Sequence, residues 1–251
     1  MSREMLNDKT FTAPELQPVD LGGGGTDTRR KVMTIRGTVA RAFVLLVLAV
    51  AAATWGWQNA LDIFQTSNVV LFAGFIGLIV LSIATARKPQ IAPFTAPIYA
   101  IVMGAWAGAI SALYEAAYPG IVLQAVFATF AVFLACLVLY VTRIVKVTDR
   151  FVFIALVAGG GIMLLYLATW ILSLFGVRMP FINDPSPIGI ALSVGICIVA
   201  AMFLFIDLRV IEEGATRQVP TFMSWYSAMG LLATLIWLYL EVLRLLGKIR
   251  G

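Results

Sequence analysis

Seven runs of apolar residues, at 41–57, 69–86, 98–117, 121–141, 151–175, 188–208 and 223–246, leave this chain few ways to fold. Each approaches the roughly 20 residues that a helix needs to cross a hydrocarbon core about 30 Å thick. Inside such a core every backbone N–H and C=O must be satisfied by the protein itself, so only helices or a closed barrel can span it. The runs do not alternate polar with apolar residues, which excludes the barrel. With 61% of the 251 residues hydrophobic and 12% charged, there is too little polar surface to cover a soluble core. The expected fold is all-α: a polytopic membrane protein whose seven transmembrane helices form one bundle over residues 37–251.

Residues 1–36 are polar and interrupted by Pro14, Pro18 and Gly22-Gly23-Gly24-Gly25, a composition that reads as a flexible tail. It lacks a basic region leading into an apolar run, so no signal peptide is expected. Lys and Arg near span ends stay cytoplasmic. A cytoplasmic N-terminus keeps Arg29, Arg30, Lys31, Arg36, Arg41, Arg87, Lys88, Arg143, Lys146, Arg150, Arg209 and Arg217 on that side and leaves Arg178 outside. A complete seventh crossing, however, carries Arg244, Lys248 and Arg250 to the outside. Either charges near the C-terminus are weak signals, or the last helix does not cross in the ordinary way.

Several chemistries are excluded. Histidine is absent, which removes the commonest metal ligand and general base. Cys136 and Cys197 both lie inside apolar runs and read as packing residues. A retinal protein needs a lysine in the middle of a late span, and Lys248 lies at the extreme end. Intramembrane serine proteolysis lacks its histidine, and intramembrane aspartyl proteolysis lacks a second aspartate within a span. Gly159-Gly160-Gly161 has no lysine after it and is a packing point, not a phosphate loop. The Gly104-x-x-x-Gly108 spacing lets helices approach closely, within the bundle in preference to a dimer. No enzyme, cofactor or nucleic-acid partner is expected; the lipid bilayer is the expected partner.

Two carboxylates stand out. Asp207 ends the long apolar run 188–206, and Glu241 lies in Leu238-Tyr239-Leu240-Glu241-Val242-Leu243-Arg244. An ionisable group at membrane depth costs roughly 2.5–3.5 kcal/mol on insertion scales and marks a functional site by default. If they face each other, the two share a proton and form a proton-sensitive latch. Ionised, they offer hard oxygen ligands that can bind Ca²⁺ transiently. The plainer reading is that Asp207 is solvated near the interface while Glu241 is neutralised by Arg244 at i+3 on the same helix. A simple antiparallel hairpin would also keep them apart; they meet only if the residues before about Thr234 lie along the interface or fold back.

The blocks Tyr118-Pro119-Gly120-Ile121-Val122-Leu123-Gln124, Phe205-Ile206-Asp207 and Trp237-Leu238-Tyr239-Leu240-Glu241-Val242-Leu243-Arg244-Leu245-Leu246 resemble the Bax-inhibitor-motif family, in particular its bacterial YccA-like branch. The resemblance implies a seven-helix bundle of the inner membrane with its last helix central. It also implies a pH-sensitive cation leak, chiefly for Ca²⁺, or a weakly proton-coupled exchanger. Asp207 and Glu241 match the two gating acidic residues by position, and Arg87 matches the basic residue that latches the aspartate. Where the family has Glu-Gly in its third helix, this chain has Met103-Gly104. The branch is also associated with a second role, a non-conducting regulator that binds another membrane protein such as a quality-control protease; the tail is the handle for that role.

Overall fold

The computed structural model describes residues 32–65, 68–175 and 185–251. The expected tail up to position 31 and Arg178 lie outside the described residues. Every predicted run is helical where described, apart from Phe175 at the end of the fifth, which is a turn. The elements are α1 (Ile35–Gln58), a short α2 (Ala60–Gln65), α3 (Asn68–Arg87), α4 (Ala92–Ala117), α5 (Ile121–Val141), α6 (Asp149–Leu174), α7 (Pro187–Thr216) and α8 (Phe222–Arg250), with a 3-10 turn at Pro89–Ile91. Among the described residues six helices, α1 and α4 to α8, are long and apolar enough to cross a membrane, and α3 adds a shorter apolar stretch, Ile76–Arg87.

Local chemistry sets the helix ends. Thr34 caps α1 by accepting the Gly37 N–H at 3.1 Å, and Ser186 caps α7 through the Gly189 N–H at 3.2 Å, with Pro187 in the first turn where no N–H is missed. Between α4 and α5 the chain reverses at Gly120, whose φ of 80° is a left-handed conformation that glycine adopts without strain. Glu115 secures this turn by accepting the N–H groups of Gly120 at 2.6 Å and Val122 at 3.1 Å.

Small residues bring α1 and α4 into backbone contact. A Cβ on Gly104 would lie 2.2 Å from the Ala49 carbonyl oxygen, and one on Gly108 would lie 2.0 Å from that of Ala53. Gly56 meets Ala105 in the same way at 2.0 Å. The glycine spacing therefore serves packing within one chain. In lipid the hydrophobic effect does not drive helices together, so close packing of this kind carries much of the association.

The last helix is one unbroken element. Its Ala228, Met229, Leu232 and Ile236 bury against α1 and α4, while Leu231, Leu238 and Val242 bury against α5 and α7. At its start the Arg41 guanidinium of α1 lies 5.6 Å over the Trp225 ring, and the Met33 N–H donates to Val219 at 2.8 Å. At its far end Arg250 donates to the Pro119 carbonyl at 3.0 Å and to Gln124 at 2.8 Å. Thus α8 runs parallel to α1 and antiparallel to α7, along which Phe203 meets Trp237 edge to face at 5.7 Å. The fold-back that would let Asp207 reach Glu241 does not occur. The three basic residues at the end of α8 all make hydrogen bonds to other elements of the bundle.

Gly108→Val should destabilise the bundle by about 1–3 kcal/mol, the ordinary cost of overpacking. Gly161→Ala puts its methyl in open space and should leave stability unchanged or raise it by at most about 1 kcal/mol through helix propensity. Thermal unfolding in detergent, followed by circular dichroism, checks both.

Candidate functional site: a polar seam along the last helix

In an α-helix, residues seven apart fall on nearly the same face, because two turns take 7.2 residues. On α8 Ser227, Thr234, Glu241 and Lys248 follow that spacing, and all four are buried, at 5%, 8%, 2% and 7% exposure. Ser224 is fully buried one turn before Ser227. Polar groups inside a membrane protein face the bundle interior or a water-filled path, since lipid cannot solvate them. Thr234, Glu241 and Lys248 turn toward α7 and α6, where their partners lie.

Asp207 enters the stripe from α7. Its Oδ1 sits 3.4 Å from where a Cβ on Gly230 would be, so the absence of a side chain there makes room for the carboxylate. The Thr234 hydroxyl is its hydrogen-bonding neighbour, while also donating to the Gly230 carbonyl at 3.2 Å. A hydroxyl carries one proton. Thr234 can give that proton to the Gly230 carbonyl or to the Asp207 carboxylate, but not to both at once. Asp207 Oδ2, Ser224 Oγ and Ser227 Oγ are buried without a hydrogen-bond partner among the described residues.

Glu241 occupies a different level. Its Oε1 accepts from the Tyr166 hydroxyl of α6 at 2.5 Å and from Arg244 at 3.2 Å. Arg244 also donates to Tyr166 at 2.6 Å and lies 5.0 Å over its ring. Beyond this triad the Lys248 ammonium donates to the Gly189 carbonyl at 2.9 Å and the Ser193 hydroxyl at 2.8 Å. Asp207 is level with Gly230 and Thr234, so Glu241 lies about 10–16 Å farther along the axis at 1.5 Å per residue.

The structure therefore does not bring the two predicted carboxylates together. Glu241 is paired with Arg244 at i+3, and Asp207 is not a solvated surface residue, because its Oδ2 is buried within the bundle. Arg87 is exposed at the end of α3 and is not among the groups packed on Asp207. Arg209, two residues beyond Asp207, is taken by other partners. It donates to Glu213 at 2.5 Å, Asp149 at 3.0 Å and the Val147 carbonyl at 3.0 Å, beside a cavity of about 360 Å³ lined by Arg143, Lys146, Glu212 and Arg217. Sequence reasoning missed Tyr166, Thr234, Ser224, Ser227 and Lys248. The seven-residue recurrence of polar residues in α8 was the signal that could have found four of the seam's members.

This arrangement is that of a polytopic helical membrane protein with an ionisable seam through its bundle. Over residues 4–251 the chain matches the family described as Bax inhibitor 1 like, and it belongs to that family. No curated protein matches it.

Breaking the buried pair from the cationic side leaves Glu241 without its counter-charge. Arg244→Met should cost about 3–5 kcal/mol, the usual penalty for orphaning one partner of a buried ion pair. Glu241→Gln/Arg244→Met should recover part of that loss, because no lone charge remains. Equilibrium unfolding in mixed micelles measures both.

Proposed function

We propose that this protein is a pH-sensitive cation leak of the bacterial inner membrane, in the YccA-like branch of its family, with Ca²⁺ the favoured ion. The observation that carries this reading is the seam: a row of buried oxygens from Ser224 through Ser227 and Thr234 to Asp207, followed by a charged barrier. On this reading the N-terminus is cytoplasmic, as the distribution of Lys and Arg favours, and Asp207 is reached from the cytoplasmic half. Ser224, Ser227 and Asp207 supply hard oxygens of the kind a divalent cation takes as ligands.

The outer half acts as the gate. A cation moving past Glu241 meets Arg244 and then Lys248, and like charges a few ångströms apart in a poorly screened interior repel strongly. Conduction requires the Glu241–Arg244–Tyr166 triad to open so that Glu241 can face the ion while Arg244 turns away. Asp207 and Glu241 thus gate in series, one as the inner binding group and the other as the outer lock. Protons compete with the cation for Asp207, because a protonated carboxyl attracts no cation, so the leak rises with pH across the titration of that group.

Purified protein in liposomes that enclose a Ca²⁺ dye tests this. The wild type should show influx that increases with pH. Asp207→Asn should lower the influx and flatten its pH response, whereas Arg244→Gln should raise influx by weakening the barrier. No pH-dependent flux, or an Asp207→Asn protein with the wild-type response, rules the proposal out.

A further inference from the structure

Behind α8, on the face away from the seam, lies a groove of about 500 Å³. Its floor is made by α4 and α8, with Gly108, Ser111, Leu235 and Tyr239, and its walls by α1 and α5. Both wall helices pack on α4 and α8, and the groove is the space left between them. The rims belong to the lipid-facing surface: Val50 is 57% exposed on α1 and Phe130 is 50% exposed on α5. The groove is therefore continuous with the face that the bilayer covers.

Its chemistry narrows the occupant. Four hydroxyls line it, and each is already engaged. Thr54 donates to Ala51 at 2.7 Å, Thr129 to Ala125 at 2.7 Å and Ser111 to Ala107 at 2.6 Å. With its own proton so used, Ser111 accepts from Tyr239 across the floor at 2.6 Å. Such a wall asks for no hydrogen bond and is met by hydrocarbon. Left unfilled, it would forfeit dispersion contacts along its length.

The length narrows it further. From Leu46 to Gln58 the groove follows α1 for about 18 Å at a rise of 1.5 Å per residue, slightly more than half of a hydrocarbon core about 30 Å thick. It reaches the interface at Trp57 and Gln58, an aromatic and a polar side chain suited to the headgroup level.

We propose that this groove binds one acyl chain of a phospholipid from the leaflet at the Trp57 end, threaded between α1 and α5 onto the back of α8. The site is independent of any ion flux. Its floor lies beneath the lipid-facing rims, so a chain must enter the groove to touch Ser111, Leu235 or Tyr239.

The full chain, reconstituted in phosphatidylcholine vesicles with a trace of phospholipid carrying a photoreactive diazirine in its acyl chain, can be irradiated and its adducts mapped by mass spectrometry. The expected result is adducts on the floor residues as well as on outward-facing Phe153 and Val157 of α6. Val126→Trp and Val50→Trp fill the groove from opposite walls, and each should abolish the floor adducts while leaving those on α6. Adducts confined to outward-facing residues in the wild type, meaning annular lipid only, overturn the site. So do floor adducts that persist undiminished in the groove-filling variants. If one variant fails to fold, the other and the wild-type map decide.

Discussion

A charged side chain that hydrocarbon cannot solvate must find its partners inside the protein, and α8 carries three such groups beyond its midpoint. Glu241 and Lys248 are almost wholly buried, and Arg244 is 30% exposed. Their partners come from elements distant in sequence, Tyr166 on α6 and Gly189 and Ser193 on α7. Satisfying them fixes the face that α8 turns toward α7, and that face sets the level at which Asp207 meets Gly230 and Thr234. The antiparallel course of α7 and α8 follows from the same contacts. Apolar packing of α8 on α1, α4 and α5 occupies the rest of its circumference.

The two halves of the seam differ in what they demand. Toward the C-terminal end of α8 the seam is closed by charge pairing, with the Glu241 carboxylate held between a guanidinium and a phenol hydroxyl. Toward the N-terminal end of α8, oxygen atoms of Asp207, Ser224 and Ser227 have no hydrogen-bond partner among the described residues. Two carboxylates in direct contact would form a single latch with a shared proton, whereas Asp207 and Glu241 stand at different levels of α8 with different neighbours. On the function proposed above, proton sensitivity belongs to Asp207, and the repulsion of a cation belongs to Arg244 and Lys248 beside Glu241. The glycine contacts of α1 with α4 matter here indirectly, because they hold the wall behind α8 in place and define one side of the apolar groove there.

Much of the fold was legible in the sequence because membrane spans are written in composition. The apolar runs foretold the helices, and they fell short mainly at ends such as Arg209 to Thr216 of α7, where Arg209, Glu212 and Glu213 continue the helix beyond the apolar stretch. Asp207 and Glu241 were found by their cost, since a lone carboxylate among apolar neighbours is conspicuous. Their pairing was not legible: whether they touch depends on the register of α7 against α8, which apolar runs leave undetermined. The local option, Glu241 with Arg244 at i+3, needs no register and is the one observed. Tyr166 could not be found at all from its own neighbourhood, because a tyrosine in an apolar span is ordinary until its partner is known.

Accessibility along α8 tests the central claim most directly. In a protein whose Cys136 and Cys197 are replaced, single cysteines are introduced at 227, 234 and 241 on the seam and at 228, 235 and 242 on the other faces, and each is titrated in vesicles with a hydrophilic, positively charged thiol reagent. The seam account predicts a seven-residue recurrence, with 227 and 234 reacting, 241 reacting faster once Arg244 is also replaced, and the other three inert. Equal reactivity on both sets, or reaction at 228, 235 and 242 in preference to the seam, would contradict it.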